Sequence, residues 1–354
     1  MHYEEALSHA IFRYVSGSHA YGTQREDGSS DEDIRGVFIA PLHYAFDLFN
    51  SSFVGSGTIA QRLKGALGDI ADGNYASAAE QIRQAQDPEN GDLSTSVGTV
   101  GKPGADEELH ELRKFLKLVA DNNPNLLEAL WIERLIRTTT PVWERIRKAR
   151  DLFLSKKARF TFSGYCFSQI KRIETHRGYL LHPPSHKPTR EEFGLPCETI
   201  ISKENRNAIL SIPEQWVSEG AREVVLKEKR YNSALEIWTS YCKWERERNP
   251  ARKELERKYS YDTKHATHLI RLSKMCIEIL RDGEVLVYRP DRDELRQILN
   301  GEWPYEKVMA EANKYEAQAE ELYEKSPLRK TADHKGISEL YGEICEEHYG
   351  IRLA

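Results

Sequence analysis

Asp31 and Asp33 are separated by a single residue, and a Gly17-Ser18 pair stands about a dozen residues before them. Alternate side chains of a strand share a face, so both carboxylates can reach one point in space. Two such groups repel unless a cation lies between them. Hard divalent ions such as Mg²⁺ (or Mn²⁺) take oxygen ligands and bridge protein carboxylates to substrate phosphates. At Gly17-Ser18 a small residue ends an apolar run and begins "SHAYG". There, backbone N–H groups can approach a phosphate and the start of a short helix favours its charge. Phosphate donors and metal ligands on consecutive elements are what nucleotidyl transfer requires. Two metals hold the triphosphate, one activates the attacking hydroxyl, and both offset charge in the in-line transition state. Either part alone reads as a solvated turn; their conjunction between two apolar strands favours chemistry.

The flanking elements are legible in outline. Residues 2–10 predict a short helix, "IFRYVSG" a first strand and "DIRGVFIAP" a second, closed by Pro41. From 50 to 105 an amphipathic helical stretch precedes a tail rich in Gly, Ser, Thr and Asp, which reads as an insertion with a flexible tail. "DEELHELRK" is a strand end or a helix start, with Leu109, Leu112, Phe115, Leu116 and Val119 at helical spacing. "NNPN" breaks it before a second short helix. Helices are expected over 222–256, 261–282, 291–299 and 304–325, with a strand-like "EVLVYRP" among them.

Composition excludes several classes. A net charge of -5 gives no global bias toward nucleic acid, so a polyanion-binding surface would have to be local. Cys166, Cys197, Cys242, Cys276 and Cys345 form no C-x-x-C pair, which argues against a zinc site and for a reducing compartment. The histidines make no H-E-x-x-H, and Ser163-Gly164 lies in no G-x-S-x-G elbow. The N-terminus lacks a signal-peptide pattern and no apolar run is long enough to span a bilayer. A soluble, cytoplasmic chain without a membrane partner is the expectation.

The string formed by Gly17, Ser18, Ala20, Tyr21, Gly22 and Thr23, then Ser30, Asp31, Asp33, Arg35, Gly36, Val37 and Phe38, resembles the polymerase-β-type nucleotidyltransferase superfamily. More narrowly it is similar to the RNA-ligase-associated predicted nucleotidyltransferases. Segments 112–131, 153–173, 187–196 and 261–272 look like later blocks of that group. The resemblance implies an α+β fold, a small mixed sheet with flanking helices followed by a helical C-terminal domain. Residues 1–135 would be the catalytic domain, carrying the insertion at about 50–105, and 136–354 the mainly helical partner. It also implies an NTP substrate, Mg²⁺ at Asp31 and Asp33, Gly17 and Ser18 on the β/γ-phosphates, and release of pyrophosphate. A third acidic ligand is expected from a later strand. Asp106 occupies the family-like position, Glu108 would share its face, and Glu107 would point away. Alternatively, "DEE" simply begins a helix, where acidic residues offset the dipole.

Two basic clusters are candidates for further contacts. Lys264, His268 and Arg271 fall on one helical face, where Lys264 and His268 could hold triphosphate or acceptor phosphates. Lys156, Lys157 and Arg159 precede the aromatics Phe160, Phe162, Tyr165 and Phe167, a mixture suited to an RNA backbone, although aromatics so spaced also build cores. The acceptor hydroxyl is expected on an RNA end. Protein AMPylation, nucleotidylation of a small molecule, and a catalytically silent nucleotide- or RNA-binding module are the rival readings.

Overall fold

The computed structural model describes residues 2–25, 30–41, 99–102, 106–198, 201–213, 216–248 and 250–350. The helix expected within the insertion lies outside the described residues. The chain opens with α1 (Tyr3–Ser8), β1 (Ala10–Ser16), α2 (Gly17–Tyr21) and β2 (Asp33–Phe38). Strands β3 (Thr99–Gly101) and β4 (Glu107–Glu111) follow, then α3 (Leu112–Ala120) and α4 (Pro124–Leu127). A short edge strand, β5 (Ile136–Thr139), precedes α5 (Pro141–Lys148) and the long α6 (Ala158–Leu181). The rest is helical: α7 (Lys203–Ser211), α8 (Glu219–Glu247), α9 (Pro250–Tyr259), α10 (Thr263–Asp282), α11 (Arg292–Leu299), α12 (Tyr305–Lys325) and α13 (His334–Tyr349). The fold is α+β, a mixed five-stranded sheet with flanking helices followed by a helical C-terminal region.

The sheet order is β3-β4-β2-β1-β5, with β2 and β4 parallel and the other neighbours antiparallel. Register decides which side chains meet. Ser16 pairs with Asp33 and Tyr14 with Arg35, while Ile34 pairs with Glu107 and Arg35 with Glu108. Directly paired residues share a face. Asp33, Arg35 and Val37 therefore lie with Glu108 and His110 on one face, and Ile34, Gly36 and Phe38 with Glu107 and Leu109 on the other. The second face buries Phe38 and Leu109 against Tyr3 and Ala6 of α1. On the first, Phe12 stacks on Trp143 of α5 at 4.0 Å, and Phe115 of α3 packs on the same indole. Burial falls along β2 from Phe38 to Asp33, so the core closes one end of the sheet and leaves the acidic end open.

Helix α3 follows from its spacing: Leu112, Phe115, Leu116 and Val119 are all buried, each worth about 1.5–3 kcal/mol. Glu111 caps it by accepting from the Lys114 amide. Leu109 lies on β4 rather than on that helix, packed where a Cβ on Gly36 would stand. "EVLVYRP" is not a strand. Val285 and Val287 are buried while Leu286 and Tyr288 are exposed, so the period-2 alternation is real but the segment joins no sheet. The tail of the predicted insertion instead supplies β3, and "IRTT" supplies β5. Helix α13, absent from the sequence expectations, buries Ile337, Leu340, Ile344 and Cys345 behind an Asp333 cap.

Two compact units are present. One comprises Met1–Ser168, Thr267–Gln297 and Val308–Ala354, the other Gln169–Ala266 and Ile298–Lys307. The first holds the sheet. The second is helical; within it Arg190 pairs with the buried Glu228, and Tyr179, Tyr241 and Trp244 form an aromatic cluster. Among the described residues no helix is long and apolar enough to cross a membrane.

Candidate active site

Two left-handed glycines bracket α2. Gly17, with φ of 68°, turns the chain out of β1 so tightly that a Cβ there would collide with a carboxylate oxygen of Asp33. Gly22, with φ of 73°, ends the helix where a Cβ would meet the Tyr288 ring at 2.6 Å. Only glycine takes both conformations without steric cost. The first glycine thus brings the backbone at Gly17 directly against the Asp33 carboxylate. The loop back to β2 is tied to the same helix. Thr23 N–H donates to the Ser18 carbonyl (2.9 Å), Arg25 N–H donates to Ser30 Oγ (2.9 Å), and His19 Nε2 lies 3.2 Å from the Ser30 carbonyl.

At the open end of β2, Asp31 is exposed and Asp33 half-buried. Glu32 points to Arg137 at 2.9 Å. The Asp106 carbonyl accepts from Ile34 N–H at 2.8 Å, which sets Asp106 beside the start of β2. Asp106 is exposed and immediately precedes β4; Glu108 lies on it, on the face shared with Asp33. Glu107 faces the other way and accepts from Arg13 Nε at 3.0 Å. Asp31, Asp33 and Asp106 are brought to one end of the sheet, but among the described residues their carboxylate oxygens do not form a group within 4.8 Å of one another.

His110 lies two residues along the face from Glu108, and its Nε2 is 3.7 Å from that carboxylate. Proximity suggests an ion pair; electrostatics does not. Burial, with Arg35 and Lys114 nearby, pushes the imidazole down to about 3, so it is neutral and bonds Thr99 through Nδ1 at 3.0 Å. His110 therefore supplies no counter-charge to Glu108.

Behind the acidic end lies a buried network that the sequence reading did not identify. Tyr21 Oη donates to Glu128 Oε1 at 2.9 Å, and the Arg271 guanidinium lies 3.8 Å from the Tyr21 ring centre and 3.6 Å from Glu128 Oε2. Arg35 donates to the Asn125 carbonyl at 2.6 Å. Burial pushes the Glu128 carboxyl up, while Arg271, Arg35 and the Tyr21 hydrogen bond pull against it. Tyr21 and Arg35 belong to the motif itself, so α2 and β2 are anchored to one interior charge cluster. The signal was present in the motif's Tyr and Arg, but nothing in "NLLEALW" marks Glu128 as their partner.

The basic candidates divide. Lys264 and His268 lie four residues apart on α10, one exposed and the other half-buried, while Arg271 on the same helix is buried in the Glu128 network. Lys157 pairs with Asp121 at 2.5 Å, and Lys156 lies over the Tyr323 ring at 5.6 Å. Arg159 is buried between Glu316 (2.8 Å) and Glu320 (2.6 Å). Of the neighbouring aromatics, Phe162 is core, while Phe160 and Phe167 are exposed. A cavity of about 250 Å³ opens beside Ala20 of α2, lined among others by Trp131, Ile132, Arg134, Val287 and Tyr288.

Residues 99–180 match the model of a family described as RNA repair pathway DNA polymerase beta family. The match supports a polymerase-β-type nucleotidyltransferase branch. It spans β3, β4 and both third-carboxylate candidates, but not Asp31 or Asp33, so it and the Gly17–Phe38 motif are separate lines pointing the same way. No curated protein and no solved structure matches the chain.

Proposed function

We propose that this chain is a Mg²⁺-dependent (or Mn²⁺-dependent) nucleotidyltransferase that moves NMP from an NTP to a hydroxyl and releases pyrophosphate. Residues 1–135 form its catalytic domain and 136–354 its helical partner. The observation that carries this is the approach of Gly17 to Asp33: the phosphate-side turn and the metal-side carboxylate touch. Asp31, Asp33 and Asp106 would hold the metals, with Glu108 the alternative for the third position. Oxygen donors only, at an open edge, suit a hard cation that must also accept substrate phosphates. When bound, the ions would neutralise charge on the phosphates and activate the acceptor hydroxyl. Gly17 and Ser18 orient the β- and γ-phosphates through backbone N–H groups, and Tyr21, Arg35, Glu128 and Arg271 keep α2 and β2 in position. Lys264 and His268 would be further contacts to the triphosphate or to the acceptor's phosphates.

An RNA end is the favoured acceptor, because the matching family is described by RNA repair. Lys156 and Lys157 would meet its backbone. Arg159, committed to Glu316 and Glu320, would hold that surface in shape. A cytoplasmic location accords with such an acceptor. The test is incubation with each α-labelled NTP, Mg²⁺ or Mn²⁺, and total RNA or total protein. Label on RNA that is lost in Asp31→Ala and Asp33→Ala supports the proposal. Label on protein would make it an AMPylating enzyme. NTP binding without transfer to any acceptor would sink the enzymatic reading in favour of a silent module.

A further inference from the structure

The second unit contains a cluster that the nucleotidyl-transfer reading does not use. His176 on α6, Asp262 just ahead of α10 and His265 in its first turn each offer one ligand atom, all within 4.8 Å of one another. We propose that these three residues bind a divalent transition-metal ion of the zinc type.

The geometry argues for it in three ways. First, Asp262 Oδ2 lies 3.3 Å from His176 Nδ1 and 3.5 Å from His265 Nε2. Ligands about 2.0–2.1 Å from a tetrahedral ion are separated by roughly 3.3–3.4 Å, so little movement is needed to close around one. Second, the His265 imidazole and the Asp262 carboxylate are already oriented. His265 Nδ1 lies 2.7 Å from Gln169 Oε1, which as an acceptor assigns the proton to Nδ1 and the lone pair to Nε2, facing Asp262. A ligating histidine characteristically bonds its other ring nitrogen in this manner. Asp262 Oδ1 accepts from the His265 backbone N–H at 3.0 Å, leaving Oδ2 toward the imidazoles. Third, the carboxylate is buried, and a buried carboxylate is costly unless it is paired or holds a metal. Asp262 is 2% exposed, with His176 Nδ1, His265 Nε2 and the His265 backbone N–H gathered around it. Two imidazoles with one carboxylate suit zinc and its neighbours rather than Mg²⁺. The two imidazoles are themselves partly exposed, which leaves an entry and a fourth position for water. No cysteine takes part, so the absence of C-x-x-C does not bear on it.

The test uses the full chain, stripped with a chelator and titrated with Zn²⁺ against a chromophoric competitor, in four forms: wild type, Asp31→Asn with Asp33→Asn, His176→Gln with His265→Gln, and Asp262→Asn. One equivalent is expected to bind tightly to the wild type and to the Asp31/Asp33 variant, and at least about tenfold more weakly to the other two. Co²⁺ added to the wild-type chain should show the intense visible bands of a four-coordinate site. Equal Zn²⁺ binding by wild type and the histidine variant would overturn the proposal. So would loss of the site in the Asp31/Asp33 variant. If the histidine variant fails to fold, the wild-type Co²⁺ spectrum decides, and bands of a six-coordinate aquo-like ion would refute the assignment.

Discussion

At the open end of the sheet Asp31 is exposed, Asp33 half-buried and Asp106 exposed, and the Gly17 turn lies against the Asp33 carboxylate. In the second unit Asp262 is 2% exposed and already meets two imidazoles and a backbone amide. Both places set carboxylates where a cation could bind, but they treat the charge differently. The sheet edge holds its carboxylates apart and open to solvent, as the proposed exchange of a cation together with substrate would require. The helical site desolvates a single carboxylate and supplies its partners from the chain, an arrangement suited to retention. Burial makes the difference: an exposed carboxylate costs little when unpaired, a buried one costs several kcal/mol.

Substitutions at the two places should therefore fail differently. Asp33→Asn should cut nucleotidyl transfer by about a thousandfold or more, while its urea unfolding free energy stays within about 1 kcal/mol of wild type. Asp262→Asn should do the reverse in kind, lowering stability by about 1–3 kcal/mol as two imidazoles lose their anion. Similar stability losses in both would erase the distinction. Next in size, Glu128→Ala leaves the buried Arg271 guanidinium without its carboxylate and should destabilise the first unit by about 3 kcal/mol in denaturant unfolding. Glu128→Gln, which keeps an acceptor for Tyr21, should cost less.

The sheet edge was legible because its parts are neighbours in sequence: strand, glycine turn, short helix, D-x-D and strand lie between Ala10 and Phe38. Period-2 and turn chemistry act over that range and leave their pattern in the residues. The His176–Asp262–His265 cluster was not legible, because α6 and α10 bring together positions far apart in the chain. Only Asp262-x-x-His265, a helix cap and a first-turn histidine, could have flagged it. Burial was hidden too. "EVLVYRP" alternates like a strand yet joins no ladder among the described residues, and Arg159, read with Lys156 and Lys157 as a contact for an RNA backbone, turns inward to two glutamates. Periodicity reports which face is apolar but not what covers it.

Smaller effects sharpen the same contrast. Gly17→Ala forces a left-handed backbone on a residue with a Cβ and pushes Asp33 aside. It should cost about 1–2 kcal/mol of stability together with most of the transfer activity, as read from unfolding curves beside initial rates. His110 gives a pH signature. Its folded value, about 3, lies below the ordinary 6.5, so between those limits the unfolded chain takes up a proton that the folded chain refuses. Stability should fall as pH drops through that window, by at most about 1.4 kcal/mol per pH unit. The slope should flatten in His110→Leu.

The most direct measurement is a crystal structure of the chain with a non-hydrolysable NTP and Mg²⁺. The account predicts metal ions held by Asp31 and Asp33, a third contact from Asp106 or Glu108, and β- and γ-phosphates against the Gly17-Ser18 backbone. A triphosphate bound elsewhere, with no ion at Asp31 and Asp33, would contradict it.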